Sequence, residues 1–438
     1  MPSFITTLLH KKNTSKYIII CVALILVAYY TKCALGGVDF DVFLHAATKL
    51  KGNENIYHPP FVRNLQYFYS PLFATLLIPF SALPYWIPEC IWLTFSCYCV
   101  YRSWILCTRY FNISFLTSKQ YKIWVWLSLL FTLRFILDNF TQAQMSIFLL
   151  WATLESLALF KKEKIVMGAG LLALAINIKI MPIIFIPYLF YRKKIKEGFL
   201  VIAFCILYLY LPALLIGYQY NNFLLNEWWA IINPTNAEHI IEATNGPHSL
   251  DAMLSVFITN TTGSMEFKRN FINLSFNEVA IVINIVRLFF VFLTLYFLKS
   301  LPFKTINNPL KEFWEMSYLF LITPLIFPHM QIYAFIYIAP MVIYLLYFFI
   351  IQKQRNIKIG TTLLFCFGII SIQFTPIIGR DVIGAFLFHA LQHYRTLTFA
   401  TILLIPIALI CNPKKLICQG LKIHRLKQPL TESHLNLL

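Results

Sequence analysis

Two carboxylates, Asp39 and Asp41, stand two positions apart in VDFDVFLHAATKLKGNENIY (residues 38–57), in a chain where charged residues make up only 12%. A carboxylate at the edge of an apolar segment can act as a general base toward a hydroxyl nucleophile. At a helix start it can equally serve the cap and the helix dipole. On a helix, residues two apart point about 200° away from each other, so a single site can use only one of the pair.

Lys179 is the second candidate. It sits inside the apolar stretch 165–191, next to Asn177 and Pro182. Placing an ammonium at mid-depth costs about 2.5–3.5 kcal/mol on insertion scales, which points either to a phosphate ligand or to a stem that snorkels to the interface. Arg134 and Asp138 have the i, i+4 spacing that lets them neutralise each other. His389 and His393 share that spacing, yet neither an HExxH pattern nor a third ligand accompanies them, and no metal ion is expected. His45, His248 and His329 are open to phosphate contact or to interface and capping roles. The ten cysteines show no CxxC or Cys/His metal spacing and read as small apolar residues. With 14 glycines and no Walker or GxSxG pattern, soluble nucleotide binding and serine-hydrolase chemistry find no support.

The elements that must position these residues are membrane helices. The 438 residues are 59% hydrophobic, include 41 Phe, and have a mean hydropathy of +0.69, too much apolar surface for a water-soluble core. Apolar runs near 17–35, 86–107, 122–138, 142–160, 198–217, 278–298, 313–328, 331–351, 358–378 and 396–411 are expected to span the bilayer. The first is long enough to be a retained helix rather than a cleaved signal. The stretch 165–191 carries basic clusters at both ends, which calls for an even number of crossings; a break at NIKIMP makes two short helices with Lys179 at the tip. The expectation is an all-α polytopic bundle of about 10–12 membrane helices, read as one domain, with an amphipathic helix at 38–50 on the outer interface.

The formal charge of +18 comes from short basic clusters between apolar runs. That pattern reads as topology signals rather than a nucleic-acid surface and puts both termini, including a basic tail at 412–438, in the cytoplasm. The loops at 36–85 and 218–277, the turn at His329 and the loop at 379–395 then share the outer face, where a polar site is expected. The prolines Pro71, Pro79 and Pro84 make 68–84 a broken segment able to line a groove.

The ordered set VDFDVFLHAATKLKGNENIY, FYSPLFATLLIPFSALP, AQMSIFLLWA, LAINIKIMPIIFIPYLFYRKK, NGPHSLDAML and TPLIFPHMQIY resembles the polyprenyl-phosphate-mannose-dependent mannosyltransferases of glycosyltransferase family 87. These are membrane enzymes of GT-C architecture, and the likeness covers most of the chain. It implies that Asp39 is the catalytic base, with Phe43, Ala46, Ala47, Gly52 and Tyr57 completing its motif and Asp41 on a variable position. Tyr69 and Pro71 match a Y-x-P-P element whose second proline is Leu72 here. A Gly-Gln pair reads Ala143-Gln144, Lys179 and Pro182 match the broken segment, and Asn245 and Ser249 match the long outer loop. With His329 and His45, these residues are expected to hold the donor phosphate and substrates. The implied reaction is transfer of a single sugar, mannose, from polyprenyl phosphate to a lipid or glycan acceptor at the outer face of a bacterial plasma membrane, without a cofactor. One carboxylate suffices for inverting displacement, because a phosphate leaving group needs no protonating acid. The rival readings are a transporter or flippase of lipid-linked sugars, and an oligosaccharide ligase or polymerase.

Overall fold

The computed structural model describes residues 38–414 except 234–235, 243–245, 264, 300–301 and 354–358, together with 27, 31 and 416. The helix expected at 17–35 and most of the basic tail therefore lie outside the described residues. Among those described, every regular element is a helix. Lipid dictates this, since it offers no hydrogen bonds and each span must satisfy its own backbone.

Six of the described helices are long and apolar enough to cross a membrane: Trp86–Thr108, Ser118–Thr141, Ile195–Ile216, Phe276–Leu298, Ile332–Gln352 and Thr361–Ile378. The bent pair Ala385–His393 and Thr396–Ile410 makes a seventh. Shorter or proline-containing helices fill other expected positions, among them Ser146–Lys161, Ile165–Ile178 and Pro309–Ile326. Local chemistry sets their starts. Thr117 with Gln120, and Ser275 with Glu278, form capping boxes before two of the long spans. Pro309 opens another helix behind the Asn308 cap.

The Ile332–Gln352 span is buried almost throughout and forms the centre of the bundle. Pro309–Ile326 and Ser118–Thr141 pack against it, and Thr396–Ile410 closes over Pro309–Ile326. Buried aromatic tips find partners here: Trp124 Nε1 donates to the Ile343 carbonyl and Trp314 Nε1 to that of Ala408, each at 2.9 Å. The Phe297 ring stacks on Trp314 at 4.0 Å and on Tyr318 at 3.9 Å. By contrast, Ile195–Ile216 and Phe276–Leu298 expose Phe199, Leu214, Ile285 and Phe292, surface that suits lipid and not water.

Contacts sort the connections into two ends. Lys161 pairs with Glu312 at 2.7 Å and Arg192 with Glu315 at 2.6 Å, so both ends of 165–191 meet the first turns of Pro309–Ile326. Between them the Ile165–Ile178 helix stops, Lys179 is extended, and a 3₁₀ turn at Met181–Ile184 leads into Phe185–Tyr191. The segment thus goes in and comes back, with Lys179 at its tip. At the same end as Arg192, the Phe303 amide donates to the Tyr191 carbonyl at 2.8 Å. At the other end, His58 pairs with Glu227 at 2.7 Å, Trp228 Nε1 donates to the Phe68 carbonyl at 3.1 Å, and the His248 amide donates to the Met330 carbonyl at 2.6 Å. These contacts tie the loops at 52–85, 218–277 and 327–331 into one cap over the Lys179 tip.

Beneath that cap lies the helix Val38–Lys51, packed against Pro71–Leu77. It is less one-sided than its sequence pattern: Phe40, Val42, Phe43, Leu44, Ala46, Ala47 and Leu50 are all buried, while Thr48 and Lys51 are exposed. The broken segment at 68–84 covers the side that an interfacial helix would leave open.

Candidate functional site

A cavity of about 430 Å³ opens between the cap and the ends of the helices. Its size lies in the range of small-molecule sites, and its walls are mainly aromatic and aliphatic, with a few convergent polar groups. Asp39, Tyr69, Gln144, Lys179 and His329, five residues singled out from the sequence, all line it.

Asp39 lies in the first turn of Val38–Lys51. One of its carboxylate oxygens accepts a hydrogen bond from Gln144 Nε2, and Gln144 Oε1 accepts one from the Tyr69 hydroxyl at 3.0 Å. Tyr69 therefore fixes which way the Gln144 amide faces, and the amide presents a donor to Asp39, which favours the ionised carboxylate. Burial pushes the Asp39 pKa above its ordinary value; the Gln144 hydrogen bond and the charge of Lys179 hold the rise back. A partly desolvated carboxylate with a basicity above that of free aspartate is what proton abstraction needs.

Gln144 owes its position to the turn between Ser118–Thr141 and Ser146–Lys161. Its backbone N–H donates to the Asn139 carbonyl at 2.9 Å, and Ala143 takes a left-handed φ of 48°. Glycine occupies such a position without strain, which accounts physically for the Gly-Gln pair that the resemblance places here.

The Lys179 ammonium stands 5.7 Å from the Tyr69 ring centroid and 5.5 Å from that of Tyr333. Two ring faces give it cation–π support. Among the described residues no carboxylate comes within ion-pair distance of it. Its charge is available to an anion entering the cavity.

His329 is held through its backbone and its ring together. It takes a left-handed φ of 55°, its amide donates to Glu242 Oε1 at 2.8 Å, and its Nδ1 lies 2.7 Å from the same oxygen. Ser249, the cap of Leu250–Ile258, donates from Oγ to Glu242 Oε2 at 3.1 Å. His239 also lines the cavity, its ring centroid 4.5 Å from that of His329.

The other sequence candidates fall elsewhere. Ser249 is fully buried and reaches the cavity only through Glu242 and His329. His45 lines a separate small niche with Lys49, Phe61 and Tyr67, on a different side of its helix from Asp39. Asn245 lies outside the described residues. Asp41 points away from the cavity and pairs with Arg63 at 3.3 Å, so the two aspartates do diverge as helical spacing requires. Arg134 and Asp138 do not pair directly: Arg134 Nη1 donates to the Gln373 carbonyl at 2.6 Å. His393 contacts the Phe267 carbonyl at 2.9 Å, and no group of three potential metal ligands includes it or His389 among the described residues. His248 is buried outside the cavity, where desolvation and the nearby Arg395 and Arg134 charges keep its pKa well below the ordinary value. Glu242 and His239 were missed from the sequence. Both lie in the long loop, and nothing in their own spacing points to His329.

Comparison with curated proteins returns no match. The family model for glycosyltransferase family 87 matches residues 67–328, more than half of the chain. The matched interval contains Tyr69, Gln144, Lys179 and Ser249, while Asp39 precedes it and His329 follows its last residue. An all-helical membrane bundle with a capped cavity at one end, carrying this family match, is a membrane glycosyltransferase, and the chain belongs to glycosyltransferase family 87.

Proposed function

We propose that the protein transfers a single hexose, mannose, from a polyprenyl-phosphate donor to the hydroxyl of a lipid or glycan acceptor, with inversion and with Asp39 as base. The observation that carries this reading is one cavity shared by an accessible basic carboxylate, Asp39, and an ammonium, Lys179, that forms no salt bridge among the described residues. The basic connections at 161–164 and 192–194 sit at the end of the bundle opposite the cavity, and the positive-inside rule makes that end cytoplasmic. The cavity then faces outward, where a lipid-linked donor presents its headgroup.

In the reaction the acceptor oxygen attacks the anomeric carbon as Asp39 takes the hydroxyl proton. The bond between that carbon and the phosphate oxygen breaks, and the electron pair leaves with the polyprenyl phosphate. Lys179 and His329 receive the charge that develops on the leaving oxygen, a fixed electrostatic contribution that needs no reorganisation during the step. Gln144, itself oriented by Tyr69, aims Asp39 and favours its ionised form. Ser249 and Glu242 position His329.

The test is transfer of label from radiolabelled polyprenyl-phosphate mannose by protein in nanodiscs, with a panel of acceptors. Label on an acceptor in the wild type and none with Asp39→Asn supports the reading. Label that stays on the donor while liposomes show its movement between leaflets favours a flippase. A product longer by a whole oligosaccharide favours a ligase.

A further inference from the structure

His239, Glu242 and His329 bring two imidazoles and a carboxylate together, with one potential ligand atom from each lying within 4.8 Å of the others. Three features of the cluster exceed what a hydrogen-bonded histidine requires. First, His239 Nε2 is 2.6 Å from the Ile231 carbonyl, which places the ring proton on Nε2 and leaves Nδ1 as a bare lone pair. Second, that Nδ1 is buried, has no hydrogen-bond partner, and lies 3.9 Å from Glu242 Oε1, so a lone pair faces a carboxylate oxygen. Two acceptors in that arrangement repel unless a proton or a metal cation sits between them. Third, the supporting contacts are those of a metal site: one imidazole donates its far N–H to a backbone carbonyl, and the carboxylate's second oxygen accepts from Ser249 Oγ at 3.1 Å.

We propose that His239 Nδ1, Glu242 Oε1 and His329 Nδ1 bind a divalent transition-metal ion of the zinc class. Two histidines and a carboxylate with an open fourth position is a ligand set suited to zinc. Ligands about 2.0–2.2 Å from a tetrahedral ion lie roughly 3.3–3.6 Å apart. The 3.9 Å separation at His239 and the 2.7 Å separation at His329 bracket that range. Binding displaces the proton now shared by His329 Nδ1 and Glu242 and opens that pair by less than about 1 Å. Because His239 and His329 both line the cavity, the fourth position faces it. The role of the ion rests on the reading of that cavity as the donor site: its open position takes a phosphate oxygen of the sugar donor and, with Lys179, neutralises the leaving group.

The experiment uses full-length protein in nanodiscs, stripped with EDTA, dialysed, and then offered zinc or cobalt. Mass spectrometry of the metal should give stoichiometric uptake, and cobalt should produce visible bands of a low-symmetry tetrahedral site. His239→Ala and Glu242→Gln should abolish uptake, and Ser249→Ala should weaken it about tenfold or more by freeing the carboxylate. Asp39→Asn should retain it. Wild-type protein that takes up neither ion overturns the proposal, as does uptake unchanged in His239→Ala. Should that variant fail to fold, X-ray absorption on the wild type with zinc decides, since any ligand set other than two imidazoles and a carboxylate refutes the site. Full transfer activity in metal-free enzyme overturns the ion's role while leaving glycosyl transfer standing. Stoichiometric metal in a protein that transfers nothing keeps the site and overturns the proposed reaction.

Discussion

Asp39→Asn is the decisive substitution because it alters proton transfer and little else. The asparagine keeps the size of the side chain, and its amide oxygen can still accept from Gln144 Nε2, so the relay from the Tyr69 hydroxyl remains connected. The hydrogen bond changes from charged to neutral, worth about 1 kcal/mol, and this is offset by relief of a partly buried charge. Thermal stability in detergent should therefore move little. The rate should not behave so: a positioned general base contributes about 10²–10⁴-fold, equivalent to roughly 2.7–5.5 kcal/mol of barrier. The assay is single-turnover transfer from radiolabelled polyprenyl-phosphate mannose, measured with donor affinity so that binding and chemistry separate. The expected pattern is a rate loss within that range at unchanged donor affinity. Asp41→Asn supplies the control: Asp41 lies outside the cavity and pairs with the half-exposed Arg63, an interaction worth less than about 1 kcal/mol. Transfer by Asp39→Asn within about tenfold of wild type would refute the assignment, and so would an equal loss in Asp41→Asn.

The remaining expectations concern charge and placement. The acid limb of kcat/KM should lie above the ordinary aspartate value, because Asp39 works only when ionised and burial raises its pKa; Gln144→Leu removes a group that lowers it and should move the limb further up in pH. Lys179→Met should cut kcat/KM by about 10–100-fold, the worth of a charge-assisted hydrogen bond to phosphate, with no loss of melting temperature because no ion pair is broken. Arg192→Met should do the reverse: it leaves buried Glu315 with only Lys311 at 3.8 Å and the Tyr188 hydroxyl at 3.4 Å, costing about 1.5–3 kcal/mol of stability as read by thermal unfolding in detergent, with KM for the donor unchanged in protein that remains folded. In cells, an impermeant thiol reagent should label Phe271→Cys, in the cap, and spare Glu163→Cys, in a turn at the basic end; the opposite result would invert the orientation.

Much of this architecture was legible in one dimension. Hydropathy marks the helices because lipid tolerates no other open backbone, and the basic clusters mark which connections share an end. Lys and Pro inside an apolar run announced the break at Lys179, where the helix does stop. Spacing established that Asp39 and Asp41 diverge, but only the packing of Val38–Lys51 against Pro71–Leu77 decides which of them meets the cavity. A hydrophobic pattern specifies that a helix is buried, whereas its rotation and tilt against its neighbours depend on every partner at once. His45 shows the cost of that gap: it shares a helix with Asp39 yet faces a different niche. The loop residues were hidden more deeply. Glu242 meets His329 across 87 positions, and Ser249 reaches the cavity only through Glu242. The sequence by itself determined an all-helical membrane protein with its polar chemistry at one end. The tertiary structure alone decided how Asp39, Gln144 and Lys179 come to share one cavity, and that His239 and Glu242 sit beside His329, because no local periodicity encodes contacts between irregular loops and distant helix ends.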